Sequence, residues 1–315
     1  MMSIIENEVE REIILTYKSI FLIGAFLVFL YFEFLAYWVL PLTWLKQPNC
    51  QPPYCKKLLL VADPQIVGRE WKNQPFIDWI AIFDSDRYIR RTFLKAFNYV
   101  QPDIVVFLGD LMDQGWIAPT SEYTVFVDRL KNIFKFPQQQ NATKVVLSPG
   151  DNDIGGIDEI LIPSHVHRFE RTFNQTDDSI LIESIEFCIA NLMTAKLQQS
   201  KFIDADIIRI ALSHVPLIPK QNYFLNEVIK KIKPHLILSG HLHKSYHYLT
   251  YENNLWRSEK NNIFPTDSQI NYYKFRDGLI HEIIVPTCSY RMGVNNMGYG
   301  AAYIEEWEDL IGRGA

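Results

Sequence analysis

The sequence predicts an α/β fold, layered sheets covered by helices, set behind one N-terminal transmembrane helix. Three observations carry this. Short runs that are apolar on both faces recur along most of the chain and read as buried strands. Stretches of helical pattern alternate with several of them, as in sheets covered by helices. Ahead of them stands a single long apolar segment. With 315 residues, 48% of them hydrophobic, the chain is long enough for a full core. A net charge of -5 and the lack of a basic tract exclude nucleic acid as a partner.

Taken in order, Ser19 to Leu40 is apolar on all faces and long enough to cross a bilayer. Tyr37, Trp38 and Trp44 lie at its far end, where interfacial aromatics belong. No small-residue cleavage site follows, so the segment reads as an anchor in the lipid bilayer and not as a removed signal. Glu33 is the exception inside it, a carboxylate that needs a partner or the interface. Residues 1–45 are thus an N-terminal tail and anchor, 46–57 a Pro-rich linker, and 58–315 the folded domain. Lysines and arginines on the two sides of the span do not decide its orientation. Asn141-Ala-Thr143 and Asn174-Gln-Thr176 are glycosylation acceptors, and Cys50 and Cys55 are spaced to form a local disulfide in an oxidising lumen. Both favour a lumenal domain. Cys188 lies in an apolar stretch read as helical, a buried thiol, and Cys288 is undecided.

Leu58 to Ala62 is the first expected strand and ends at Asp63. A helix is expected over about Asp84 to Tyr99, then a strand over Ile104 to Leu108 that ends in Gly109-Asp110. A second helix covers about Glu122 to Phe134, and Val145 to Leu147 leads into Pro149-Gly-Asp-Asn-Asp153. Ile207 to Leu212 ends at Ser213-His214, and a helix over Phe224 to Lys233 precedes Leu236 to Leu238, which ends at Gly240-His241-Leu-His243. Five runs end in a metal-type ligand. Strand ends of an α/β fold gather at one edge of the sheet, where ligand sites form, so the five endings point to one shared metal site.

Asp63-x-Gln65, Gly109-Asp110-x-x-Asp113, Gly150-Asp151-Asn152-Asp153, Ser213-His214 and Gly240-His241-x-His243 resemble the ordered motifs of the calcineurin-like metallophosphoesterases. The resemblance implies a four-layer fold, two sheets flanked by helices, and a site for two divalent metal ions. It makes Asp110 the bridging carboxylate, Asp63 and His243 ligands of the first ion, and His214 and His241 ligands of the second. The motifs depart from the common pattern at two places. Gln65 stands where a histidine is usual and can offer its carbonyl oxygen to a metal. In the third motif Asp151 takes the place of the metal-binding asparagine, and Asn152 that of a catalytic histidine. More oxygen in the ligand set tilts it towards Mn²⁺. Asn152 cannot act as an acid, which leaves His247, His165 and His167 as candidates to protonate a leaving group.

Several stretches resemble a narrower branch, the membrane-anchored enzymes that remove ethanolamine phosphate from GPI anchors in the early secretory pathway. They are Phe32-Glu-Phe34, Asp84 to Arg91, Phe107 to Asp113, Gly150 to Gly156 and His281 to Gly293. That resemblance implies a phosphodiesterase with a lumenal catalytic domain in the endoplasmic reticulum or early Golgi membrane. Its substrate would be the GPI glycan or GPI-anchored proteins. Members of the branch often carry a second membrane span, and this sequence stops at Ala315 without one. Arg90, Arg91 and Arg291 are either surface or structural charges or contacts to the substrate phosphate. Two other functions share the motifs: a general phosphatase or nucleotidase, and a weakly catalytic receptor that aids export of GPI proteins.

Overall fold

The computed structural model describes residues 2–50, 55–68, 75–135, 143–175, 179–203, 207–263, 270–275 and 278–305. Asn141 and Thr176, and with them parts of both glycosylation acceptors, lie outside these residues; Asn174 lies within them and is exposed. The chain divides into two compact units, Met1–Lys46 and Gln47–Ala315.

The first unit is helical. Helix α1 (Met2–Leu30) passes into a π-helical turn at Tyr31–Leu35, then α2 (Ala36–Val39) and a 3₁₀ turn at Leu40–Thr43. Over the 30 residues Ile14–Thr43 it is long and apolar enough to cross a membrane, and none of its most apolar stretch is buried. The widened turn falls on the segment that holds Glu33.

The second unit is built on two sheets. The smaller contains β1 (Cys55–Val61), β2 (Ile104–Leu108), β3 (Lys144–Ser148) and, against β1, the antiparallel β12 (Gly300–Glu305), in the order β12-β1-β2-β3. The larger contains β4 (Ile180–Ile182), β5 (Ile185–Asn191), β7 (Ile208–Leu212), β8 (Leu236–Ser239), β9 (Tyr246–Tyr251), β10 (Asn254–Asn262) and β11 (Leu279–Ile284), with β6 (Lys196–Leu197) beside β5. Its order is β10-β9-β11-β8-β7-β5-β4. Leu58, Leu60, Val106 and Leu108 of the first sheet pack with Phe187, Ile210, Leu212, Leu236 and Leu238 of the second, so the main core lies between the sheets. Cys188 is buried as expected, but in strand β5 and not in a helix. A short apolar run has no periodicity to separate the two, and its neighbours decided it.

Helices cover the outer faces. Phe93 of α3 (Pro75–Val100) and Phe134 of α4 (Thr120–Phe134) meet Phe107 of β2 in an aromatic cluster. Arg129 of α4 holds Asp86 of α3 through two 2.7 Å bonds and donates a third, of 2.6 Å, to the Val67 carbonyl. Two short helices, α5 (Asp151–Ile154) and α6 (Pro163–Thr172), follow β3, and α7 (Tyr223–Ile232) packs on the larger sheet through Leu225, Val228 and Ile229. The four layers are those expected. Cys50 and Cys55 form a disulfide at the start of β1.

Candidate metal centre

Strands β1, β2 and β3 run parallel, as do β7 and β8, so their carboxyl ends can meet. The loops that follow are bound to one another through backbone. The Asp63 N–H donates to Gly109 O at 3.3 Å, Gln65 N–H to Asp110 O at 2.9 Å, and Gly240 N–H to His214 O at 2.9 Å. His214 Nδ1 donates to Leu108 O at 2.7 Å and so ties the two sheets together at the site.

Asp63, Gln65, Asp110, His241 and His243 all adopt left-handed backbone, with φ between 40° and 66°. Such residues cost of order 1–3 kcal/mol each and persist where the surroundings hold them. Gly109 (φ 88°) is required for a further reason. A Cβ there would lie 2.7 Å from both Gly150 N and His214 Nδ1. A Cβ on Gly150 would collide with the Asp110 carboxylate and backbone.

The result is a buried cluster. Asp63, Asp110 and His214 are at most 2% exposed. His214 Nε2 stands 2.9 Å from Asp151 Oδ1, 3.3 Å from Asp110 Oδ1 and 3.9 Å from Asp63 Oδ1. His241 Nδ1 is 3.2 Å from Asp151 Oδ1, and His243 Nε2 is 3.6 Å from Asp63 Oδ1. Gln65 joins the ring through its side-chain nitrogen, which donates to Asp110 Oδ2 at 2.9 Å and stands 3.3 Å from His243 Nε2. Asn152 gives Asp110 two bonds, backbone N–H to Oδ1 at 2.9 Å and side-chain amide to Oδ2 at 3.0 Å. All seven ligand candidates, and Asn152, are thus brought together.

Two overlapping groups of ligand atoms are spaced so that either could hold an ion: Asp151, His214 and His241, and Asp63, Asp110 and His214; Nε2, the one free ring nitrogen of His214, serves a single ion. The residues fit a cation on grounds of chemistry. The Nδ1–H bond to Leu108 turns the other ring nitrogen of His214 towards the three carboxylates. In a neutral ring that nitrogen is a lone pair facing anions. Although Nε2 and Asp151 Oδ1 are 2.9 Å apart, both are buried without a hydrogen bond. A positive charge between these atoms satisfies each of them.

The local electrostatics agree. Burial raises the Asp63 pKa well above the carboxylate range; His214 opposes this and the charge of Asp110 adds to it. At His214 burial favours the neutral ring, but Asp110 and Asp151 outweigh it and raise the pKa well above the usual histidine value. At Asp151 burial is overcome by the neighbouring imidazoles of His214 and His241, which hold the carboxyl far below its usual range. Burial lowers the pKa of His243. Carboxylates and imidazoles packed so closely hold a proton or a metal ion between them.

Two buried acids escaped the sequence reading. Asp153 accepts from Met112 N at 3.0 Å, Leu111 N at 3.2 Å and Gly150 N at 2.9 Å, and so clamps the second motif to the third. Burial, with the charge of Asp110, pushes it up to about 7. Glu282 of β11 accepts from Leu217 N (2.8 Å), Ile218 N (2.7 Å) and Ser239 Oγ (2.8 Å), joining the loop after His214 to the strand before His241.

The three candidate acids each have a partner of their own. His247 Nε2 is 3.0 Å from His281 Nδ1, with the rings stacked. His165 pairs with the Trp116 carbonyl, and His167 with Glu170 at 3.0 Å. Arg291 donates to Gln65 O at 3.2 Å and faces Asp113 at 3.5 Å. Arg90 and Arg91 lie on α3.

Residues 56–245 match the family described as calcineurin-like phosphoesterase. Metallophosphoesterase 1 of Gallus gallus is 33% identical over 41% of this chain and 30% of its own length. Cell division control protein 1 of Saccharomyces cerevisiae is 28% identical over 75% of this chain and 52% of its own. A Metallophosphoesterase 1 homolog of Caenorhabditis elegans is 20% identical over 73% and 72%. The chain thus spans about half or less of the first two relatives. Among solved structures, a dimetal phosphatase from Danio rerio aligns with a TM-score of 0.45 at 11% identity, over 80% of this chain and 93% of that one.

Proposed function

We propose a phosphodiesterase function for this chain, which belongs to the calcineurin-like phosphoesterase family and is a hydrolase. It removes ethanolamine phosphate from a mannose of the GPI glycan, at the membrane of the endoplasmic reticulum or early Golgi, with the second unit in the lumen. The observation that supports hydrolysis is the buried cluster of carboxylates and histidines whose ligand atoms lie close enough to hold metal ions. The substrate rests on the stretches that resemble the GPI-specific branch. The apolar helix and the Cys50–Cys55 disulfide support a membrane protein with its folded unit in an oxidising compartment.

Asp63, Asp110, Asp151, His214, His241 and His243 would hold two divalent ions, with Gln65 joining them once its amide turns to present the carbonyl oxygen, and Mn²⁺ is favoured by the share of oxygen donors. Bound there, such ions polarise a phosphoryl oxygen and lower the pKa of an attacking water. The rest falls to the chain. The Leu108 carbonyl fixes the tautomer of His214. Asn152 orients Asp110 with two bonds and supplies no proton. Asp153 and Glu282 keep the ligand loops in register.

The test uses the full chain in detergent micelles with Mn²⁺ and defined GPI glycans carrying ethanolamine phosphate on each mannose in turn. Mass spectrometry should show loss of ethanolamine phosphate from one of them. Turnover of nucleotides with none of glycans would favour a general nucleotidase. Asn152 in the place of a catalytic histidine favours one further reading, a receptor for GPI proteins. Stoichiometric metal and glycan binding with no turnover would support it.

A further inference from the structure

The first turns of α3 carry an apolar face that is exposed among the described residues. Phe76, Ile77, Trp79, Ile80 and Phe83 are between 44% and 70% exposed, while Asp78, Ser85 and Ile89 turn inward. At about 100° per residue the five exposed side chains share a sector of roughly 160°. They are ordered against one another: the Phe76 and Trp79 rings stack at 6.3 Å, and Trp79 and Phe83 at 5.7 Å. Scattered exposed apolar residues are ordinary, but a contiguous aromatic ladder is not.

The same sector continues into Arg87, Arg90 and Arg91. The Arg87 guanidinium stands 5.9 Å from the centre of the Phe83 ring. Asp84, also on this sector, accepts a bond from Tyr290 Oη at 2.5 Å. Aromatic and aliphatic side chains followed by arginines suit one kind of surface. The apolar part enters the boundary between headgroups and acyl chains, and the guanidinium groups meet lipid phosphates. Chain length agrees. The apolar span ends at Thr43, seven residues before Cys50, which the disulfide ties to Cys55 at the start of β1, so the tether to a bilayer holding the span is at most roughly 30 Å long.

We propose that the Phe76–Phe83 face of α3, with Arg87, Arg90 and Arg91, is a second membrane contact that docks the folded unit on a bilayer with anionic headgroups. It rests on α3 alone and stands whatever the substrate. Docking of this kind would orient the unit towards substrates held at the bilayer surface.

The test uses the full chain reconstituted in phosphatidylcholine vesicles with and without phosphatidylserine. The Phe83→Cys variant carries a fluorophore, and a lipid with a quencher near its headgroup reports contact. The free cysteines Cys188 and Cys288 are buried, so the added thiol is the one labelled. A label at Tyr223→Cys, also an exposed site, serves as reference. The label at 83 should be quenched at least twofold more than that at 223, and more strongly with phosphatidylserine present. Arg90→Gln should cut the docked-to-free ratio by about fivefold on anionic vesicles. Trp79→Ser with Ile80→Ser should abolish the difference between the two labels, with circular dichroism confirming the fold. Equal quenching at 83 and 223 in both kinds of vesicle would overturn the proposal. So would energy transfer between labels at 83 that persists when the protein is diluted in lipid, which would assign the face to a second copy.

Discussion

Asn152 grips Asp110 at both carboxylate oxygens, through its backbone N–H at 2.9 Å and its side-chain amide at 3.0 Å. A residue in the position of a catalytic acid therefore acts as a clamp on the central carboxylate. The Asp151→Asn, Asn152→His double variant should lose metal affinity, because a neutral amide replaces a carboxylate. At saturating metal its pH–rate profile should gain a limb in the histidine range, with turnover up by about a hundredfold where leaving-group protonation limits the rate. If Asp151→Asn alone leaves the Mn²⁺ requirement unchanged, Asp151 is not a ligand.

Gly150 is a steric requirement. In Gly150→Ala the new methyl group meets Asp110, and either that carboxylate or the β3–α5 turn must move. Overpacking of this kind costs about 1–3 kcal/mol. Metal titration should show weaker binding along with a lower melting temperature. Unchanged affinity would mean that Asp110 can shift without consequence.

Glu282 acts at a distance, as a positioning residue. In Glu282→Ala two backbone N–H groups and the Ser239 hydroxyl lose their acceptor, at about 1–3 kcal/mol for each buried group left unpaired. The variant should bind metal less tightly, and Glu282→Gln, which keeps one acceptor oxygen, should recover part of that. A variant that loses stability and keeps full metal affinity would restrict Glu282 to the core.

The strand ends were legible because each ligand follows an apolar run directly, as Asp63 follows β1 and His214 follows β7. Asp153 and Glu282 were not, since their partners are backbone N–H groups brought near by the fold, which leave no mark on residue type. Nor was the place of His247. Alternation along β9 turns it to the face shared with His281, from a strand that pairs with β9 but lies more than thirty residues away. Helix α3 starts nine residues before the expected Asp84, because its first turns are apolar around most of the surface and show no clear period.

The His247–His281 pair should make the fold acid-sensitive. Burial and the neighbouring ring lower the His247 pKa to about 4, and burial lowers that of His281. A depressed histidine contributes stability that is present above the unfolded value near 6.5 and is lost as pH falls through the folded value. Chemical denaturation of His247→Gln should therefore show less loss of stability than the wild type between pH 6.5 and pH 4. Parallel curves would place the acid sensitivity elsewhere.

The most direct test of a two-ion centre is metal content. The purified full chain, loaded with Mn²⁺ and freed of excess, is assayed by elemental analysis beside Asp110→Ala and His214→Ala. A bridging Asp110, with His214 on one of the ions, predicts about two ions per chain in the wild type, and at most one in either variant with hydrolysis abolished. Wild-type metal content and turnover in both variants would contradict the account.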